Sequence, residues 1–144
     1  MPDPTLAPLC ALGQIQPVRH TIGTLTIAEN PGLAMASLSA RAGQAKVVDK
    51  ILKKFAKLDL PAAGGLATSG DWAAFWTSPD QWMVTAPFAT HEDIAALLKA
   101  AVGEAGSVTE QTDGWVRFEI TGERCMAMFE LLCNVDIHRM GAGR

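Results

Sequence analysis

No window of the 144 residues approaches the run of roughly 20 apolar residues that a membrane helix requires. The N-terminal MPDPTLAPLC has no basic segment leading into an apolar stretch, so the chain reads as cytoplasmic. Basic residues are not in excess: 12 Lys and Arg against 15 Asp and Glu leave a formal charge of −3. That balance supplies no electrostatic motive for general nucleic-acid binding, which depends on many cationic contacts to phosphate. The three cysteines, Cys10, Cys125 and Cys133, show no CxxC spacing, so neither a disulfide framework nor a zinc knuckle is signalled. Cys125 and Cys133 fall on one predicted helix, about 12 Å apart at about 1.5 Å rise per residue, too far to bridge. His20, His91 and His138 are never three or four residues apart, so no helix face carries two of them as metal ligands. No GxSxG, Walker loop or GxGxxG occurs, and Gly64, Gly65 and Gly70 follow no phosphate-cradling spacing.

What is present suits a folded domain: 49% of residues are apolar and 19% charged, enough to build a core. Residues 1–17 carry four prolines and no periodicity, which predicts an extended arm, ordered only where the body or a partner holds it. A single α+β domain is expected over 18–144, shortened at its C-terminal end. Residues 24–27 alternate as a half-buried strand, with Gly23 out of phase as at a bulge. Asn30-Pro31-Gly32 has strong turn chemistry, and 33–39 reads as a return strand, central in its sheet. Over 46–58, Val47, Val48, Ile51, Leu52, Phe55 and Leu58 follow helical spacing, with Lys46, Lys50, Lys53, Lys54 and Lys57 gathered opposite. Residues 61–70 read as a loop. The runs 73–76 and 82–85 form a hairpin with Pro79 at the first corner of its turn. Thr90 is placed as an N-cap, and Ile94, Leu97, Leu98, Ala101 and Val102 form a helical stripe ending at Gly103. Runs 108–112 and 115–120 flank Asp113-Gly114 as a further hairpin, and a helix follows Thr121-Gly122. The order β-β-α-β-β-α-β-β-α belongs to the α+β class. Residues 33–112 spell β-α-β-β-α-β, the split arrangement of ferredoxin-like folds, followed by the start of a second, incomplete unit.

No side chain stands out as catalytic, cofactor-binding or metal-binding. The lysine face could dock an acidic surface or a phosphate-bearing ligand, but such runs are usually the solvated side of a helix. Asp71, Asp80 and Asp113 sit in or beside turns, where a short carboxylate accepts backbone hydrogen bonds. Among the tryptophans, Trp82 is expected in the core and Trp72 as a loop anchor. Trp115 and Arg117 share the strand face opposite Val116 and Phe118; with Trp76 they are the candidate interface residues, because an aromatic on the non-core side of a strand invites a covering surface.

The blocks FWTSPDQWMV, APFATHEDIAALL, SVTEQTDGWVRFEITG and LLCNVDI, in this order, resemble the gamma subunit of heterotetrameric sarcosine oxidase over nearly everything after residue 20. The resemblance implies a fold related to the folate-binding region of aminomethyltransferases. It also implies an accessory chain, partnered by alpha, beta and delta subunits. The implied complex demethylates sarcosine oxidatively to glycine, makes hydrogen peroxide and passes a one-carbon unit to tetrahydrofolate. FAD, FMN, NAD and folate would be held by the larger subunits and zinc by the smallest, with none on this chain. A stand-alone tetrahydrofolate-binding module, with Trp76, Trp82 or Trp115 stacked on a pterin ring, is the alternative. Family members continue beyond CNVDI into further strands and a last helix. An exposed apolar patch is therefore expected at Phe118, Met128, Phe129 and Leu132.

Overall fold

A computed structural model describes residues 9–134 and 136–139. In chain order its elements are β1 (Arg19–Ile22), β2 (Leu25–Glu29), β3 (Leu33–Ala40), α1 (Ala45–Ala56), β4 (Leu66–Ser69), β5 (Trp72–Ser78), β6 (Gln81–Pro87), α2 (Phe88–His91), α3 (Ile94–Val102), β7 (Gly106–Glu110), β8 (Phe118–Thr121) and α4 (Cys125–Leu132), with short 3-10 turns at Gly103–Ala105, Thr112–Gly114 and Ile137–Arg139. They form two antiparallel sheets of three and five strands, an α+β architecture. The described residues divide into two units, one comprising 9–31 with the segment from 116 to 139, the other 32–115. No described helix is long and apolar enough to cross a membrane.

In the five-stranded unit the order is β4-β5-β6-β3-β7, with β3 between β6 and β7, central as its doubly apolar sequence predicts. Because side chains alternate along a strand, the register Ala36↔Val84 and Ala34↔Ala86 puts these four residues on one face with Leu38, and Ala74↔Val84 adds β5 to it. Onto that face pack Val48, Leu52 and Ala56 of α1 and Ile94, Leu98 and Val102 of α3. Each set repeats every four residues, the spacing that keeps side chains on one helix face. The alanines on the strands let both helices approach closely, and full burial of Leu52, Ile94 or Leu98 stabilises the unit by about 1.5–3 kcal/mol per side chain. Helix α1 ends where Lys57 adopts left-handed φ (56°) and its amide closes onto the Leu52 carbonyl. Leu58 nevertheless stays in the core.

Several local expectations change in the structure. Thr90 does not cap α3: its hydroxyl turns back to the Pro87 carbonyl, 3.3 Å away, inside the one-turn α2. Asp93 is the cap, accepting the Ala96 amide at 3.1 Å. The loop 61–70 contains β4, an edge strand hairpinned to β5 through Gly70, whose φ of 56° needs a residue without Cβ strain. Its small, weakly β-prone side chains explain why propensity is silent there. Asp113-Gly114 closes no hairpin, since β7 pairs with β3 and β8 with β2. The turn instead ties back to β3: the Gln111 amide donates to the Met35 carbonyl (2.9 Å), and the Met35 amide to the Thr112 hydroxyl oxygen (3.0 Å). Asn30-Pro31-Gly32 likewise joins strands of different sheets.

In the three-stranded unit, β1 and β2 form a hairpin closed by Gly23-Thr24, with Ile22↔Leu25 paired across it, so Gly23 (φ 61°) supplies a turn and not a bulge. Strand β2 also pairs with β8, Ile27 opposite Ile120. At the end of β2 the Glu29 side chain is buried. Its carboxylate accepts the Leu12 amide at 2.8 Å and the Val18 amide at 2.7 Å, while the Glu29 amide donates to the Val18 carbonyl at 2.9 Å. The described part of the arm is thus held by one carboxylate. Gly122 (φ 125°) lies so close to β2 that an added Cβ would sit 2.0 Å from the Thr24 carbonyl oxygen.

Candidate functional site

The four tryptophans separate by environment. Trp82 is buried, and its indole N–H donates to the Pro61 carbonyl at 2.9 Å, so both its apolar body and its polar tip are satisfied in the core. Trp76 stands opposite Trp82 across the β5–β6 hairpin, half-buried, its amide bonded to the Gly65 carbonyl at 3.0 Å. That geometry makes Trp76 part of the hairpin more than of an outward surface. Trp72 is a strand residue, held edge-on between Phe55 (ring centroids 5.3 Å) and His91 (4.7 Å). Trp115 is different: it is 54% exposed. Its indole N–H donates to the Gln111 side-chain oxygen at 3.1 Å, which fixes the ring without covering it.

The turn that presents Trp115 is rigidified from within. The Glu110 carboxylate accepts the Gln111 amide (3.1 Å), the Thr112 amide (2.9 Å) and the Thr112 hydroxyl. Partial desolvation pushes this carboxyl upward, but the hydrogen bonds from Thr112, Gln111 and Ala95 outweigh it and hold the carboxyl below its ordinary value. Gln111, the second-layer support of Trp115, carried no signal in the sequence beyond its place beside a turn.

Arg117 belongs to the three-stranded unit and is exposed; its carbonyl accepts the Asn30 amide at 2.9 Å. On this unit Val116, Phe118 and Met126 are each more than two-fifths exposed, Leu132 is 73% and Leu131 87% exposed, and Met128 and Phe129 are half-buried. Of the four side chains expected to lie open, Phe118 and Leu132 are exposed and Met128 and Phe129 are half-buried. Apolar side chains left open in this number mark a surface suited to association.

The lysine face of α1 is fully solvated: Lys46, Lys50, Lys53, Lys54 and Lys57 are all exposed. Lys53 pairs with Asp59 at 2.6 Å, and the hydrogen bond and charge of Asp59 raise its pKa. The pairs Lys46–Lys50 and Lys50–Lys54 are like charges four residues apart on the helix, each opposing it by about 0.2–0.5 kcal/mol. The single acid within α1, Asp49, accepts the Leu60 amide at 2.9 Å.

The histidines stay apart. His91 meets the Thr90 hydroxyl at 2.8 Å and His138 meets Glu130 at 2.5 Å. Among the described residues no group of three or more His, Cys, Asp or Glu side chains gathers as a metal site would require, and the three cysteines are unpaired with one another.

No family model matches the chain, and no curated protein does. Among solved structures the chain is similar to heterotetrameric sarcosine oxidase from Corynebacterium sp. U-96 in complex with pyrrole 2-carboxylate, with a TM-score of 0.66 and 23% identity over 79% of this chain. The chain shares its fold with that enzyme's chain. It spans 58% of the matched chain's length, and at this identity the likeness is one of fold.

Proposed function

We propose that this chain is a gamma-type accessory subunit of a multisubunit sarcosine oxidase, contributing shape and contact area and no catalytic group. The observation that carries the reading is the fold likeness to heterotetrameric sarcosine oxidase over 79% of the chain. The rigidly presented, half-open Trp115 and the exposed apolar side chains from Val116 to Leu132 support it, because such surfaces gain by being covered. The strand order β5-β6-β3-β7, with α1 and α3 on one face, supports reading 33–112 as a ferredoxin-like unit with β4 added at its edge. The three-stranded unit then corresponds to the beginning of a second such unit. In this reading the partners are the alpha, beta and delta subunits in the cytoplasm. The assembled complex carries FAD, FMN, NAD, tetrahydrofolate and zinc on those other chains.

Coexpression with candidate alpha, beta and delta subunits from the same genome tests the reading. The chain should copurify with sarcosine-dependent hydrogen peroxide production. Full assembly and full activity without it would overturn the proposal. Tryptophan fluorescence of the lone chain during a tetrahydrofolate titration should stay flat, and a saturable micromolar response would favour a stand-alone folate-binding module instead.

A further inference from the structure

The lysines of α1 are arranged against the helix that carries them. At about 100° per residue, Lys46, Lys50 and Lys53 fall within an arc of about 60° and Lys54 lies about 40° beyond it, while Lys57 follows as the left-handed residue that ends the helix. The dipole of a helix favours cations near its C-terminus, which accounts for Lys53 and Lys54 in the last turn. It does not account for Lys46, which lies in a first turn that holds no acid, nor for the repulsion of Lys50 by both Lys46 and Lys54. Internal neutralisation is confined to Lys53, on which the charges of Asp59 and Asp49 both act. Asp59 is engaged by Lys53 and Asp49 by the Leu60 amide, and among the described residues no ion pair reaches Lys46, Lys50, Lys54 or Lys57. The segment 45–57 nonetheless concentrates five lysines and one aspartate in a chain of net charge −3.

We infer that this stripe docks against an acidic surface of a partner polypeptide, an inference that rests on the accessory-subunit reading. Lysines are point charges without the fork by which arginine grips phosphate in two places. The aromatic of α1, Phe55, lies on the side away from the stripe, so no ring interleaves the charges to stack a base. A row of charges about 6 Å apart along the helix matches carboxylates presented at similar spacing by another protein surface, and lysine suits an exposed, salt-screened contact of this kind.

The test measures the Kd of the full chain for an immobilised alpha–beta–delta subcomplex at about 50 and about 300 mM NaCl, a range over which screening of exposed charges deepens. Wild type should weaken by about tenfold or more across that range. The K46E/K50E/K54E variant should weaken by about a hundredfold at low salt, while K46R/K50R/K54R should bind within about twofold of wild type. K46E suits a helix start but K54E opposes the dipole at the helix end, so the K46E/K50E variant, which leaves the last turn untouched and sets an acid four residues before Lys54, should melt no lower than wild type and still bind more weakly, a loss that could not be ascribed to unfolding. A reversal variant that binds as tightly as wild type, or arginine and glutamate variants that lose equally, would overturn the inference and leave the accessory role standing. Wild type that binds no subunit at any salt would overturn the accessory role itself.

Discussion

Replacing Trp115 by alanine separates an interface tryptophan from a folding one. A tryptophan offers roughly 150–250 Å² for burial, and Trp115 is 54% exposed, which leaves roughly 80–135 Å² for a partner to cover. At about 25 cal/mol per Å² that area corresponds to about 2–3 kcal/mol, or about a 30- to 150-fold weaker Kd for the other subunits once it is removed. The lone chain should hardly notice: Trp115 is outside the buried core, its indole hydrogen bond goes to the half-buried Gln111, and the melting midpoint should reflect a change within about 0.5 kcal/mol. Trp115→Phe, which keeps much of the area and drops the indole donor, should fall between the two. Titration calorimetry with the subcomplex and thermal melts of the free chain read both quantities. Unchanged affinity would refute the assignment of Trp115 to an interface. A loss of affinity matched by an equal loss of stability would make Trp115 an anchor of the 110–115 turn instead.

Glu29→Gln keeps one acceptor oxygen but sets an amide donor against a backbone N–H, so about 1.5–3 kcal/mol of local stability should go with one charge-assisted hydrogen bond. Hydrogen exchange at Leu12 or Val18 should speed up by about tenfold or more, and unaltered protection there would contradict the role of Glu29 as the clasp of the arm. Gly122→Ala combines left-handed-side φ with a Cβ driven into the Thr24 carbonyl, and urea unfolding should show a loss well above about 1 kcal/mol; a wild-type midpoint would mean that β2 yields freely. For Glu110 the folded pKa lies below the ordinary 4.5, so its carboxylate stabilises the turn above that pH and ceases to as pH falls through the lower folded value. The penalty of Glu110→Gln should therefore be full at neutral pH and shrink as pH drops below about 4.5, whereas a penalty constant with pH would sink this account.

The elements that could be read from the chain are those whose signal is repeated locally. Val48, Leu52 and Ala56, and Ile94, Leu98 and Val102, restate the helical period at every turn. Pro79-Asp80 closes β5 on β6 because the two strands are sequence neighbours. Partner choice for the remaining strands is a long-range matter, and turn chemistry misleads there. Asp113-Gly114 and Asn30-Pro31-Gly32 have the residues of hairpin turns, yet each links the two sheets, because β3 finds β7 and β2 finds β8 across most of the chain. A turn motif reports that the backbone reverses, and says nothing about which edge receives it. Glu29 was illegible for a related reason: its partners are backbone amides of Leu12 and Val18, which have no side-chain signature.

The lysine stripe shows the opposite case, since its residues were visible at once but their meaning was not. Only when the helix is seen to begin at Ala45, with Lys46 in its first turn and Asp49 turned to the Leu60 amide, does the arrangement oppose the stability of its own helix. A solvated face needs no such opposition, because interspersed acids would be equally soluble and would stabilise the helix through pairs four residues apart. That difference is what the charge-reversal and charge-preserving variants measure: if the helix gains stability when the stripe is reversed while partner affinity stays unchanged, the lysines serve neither purpose and the docking argument fails.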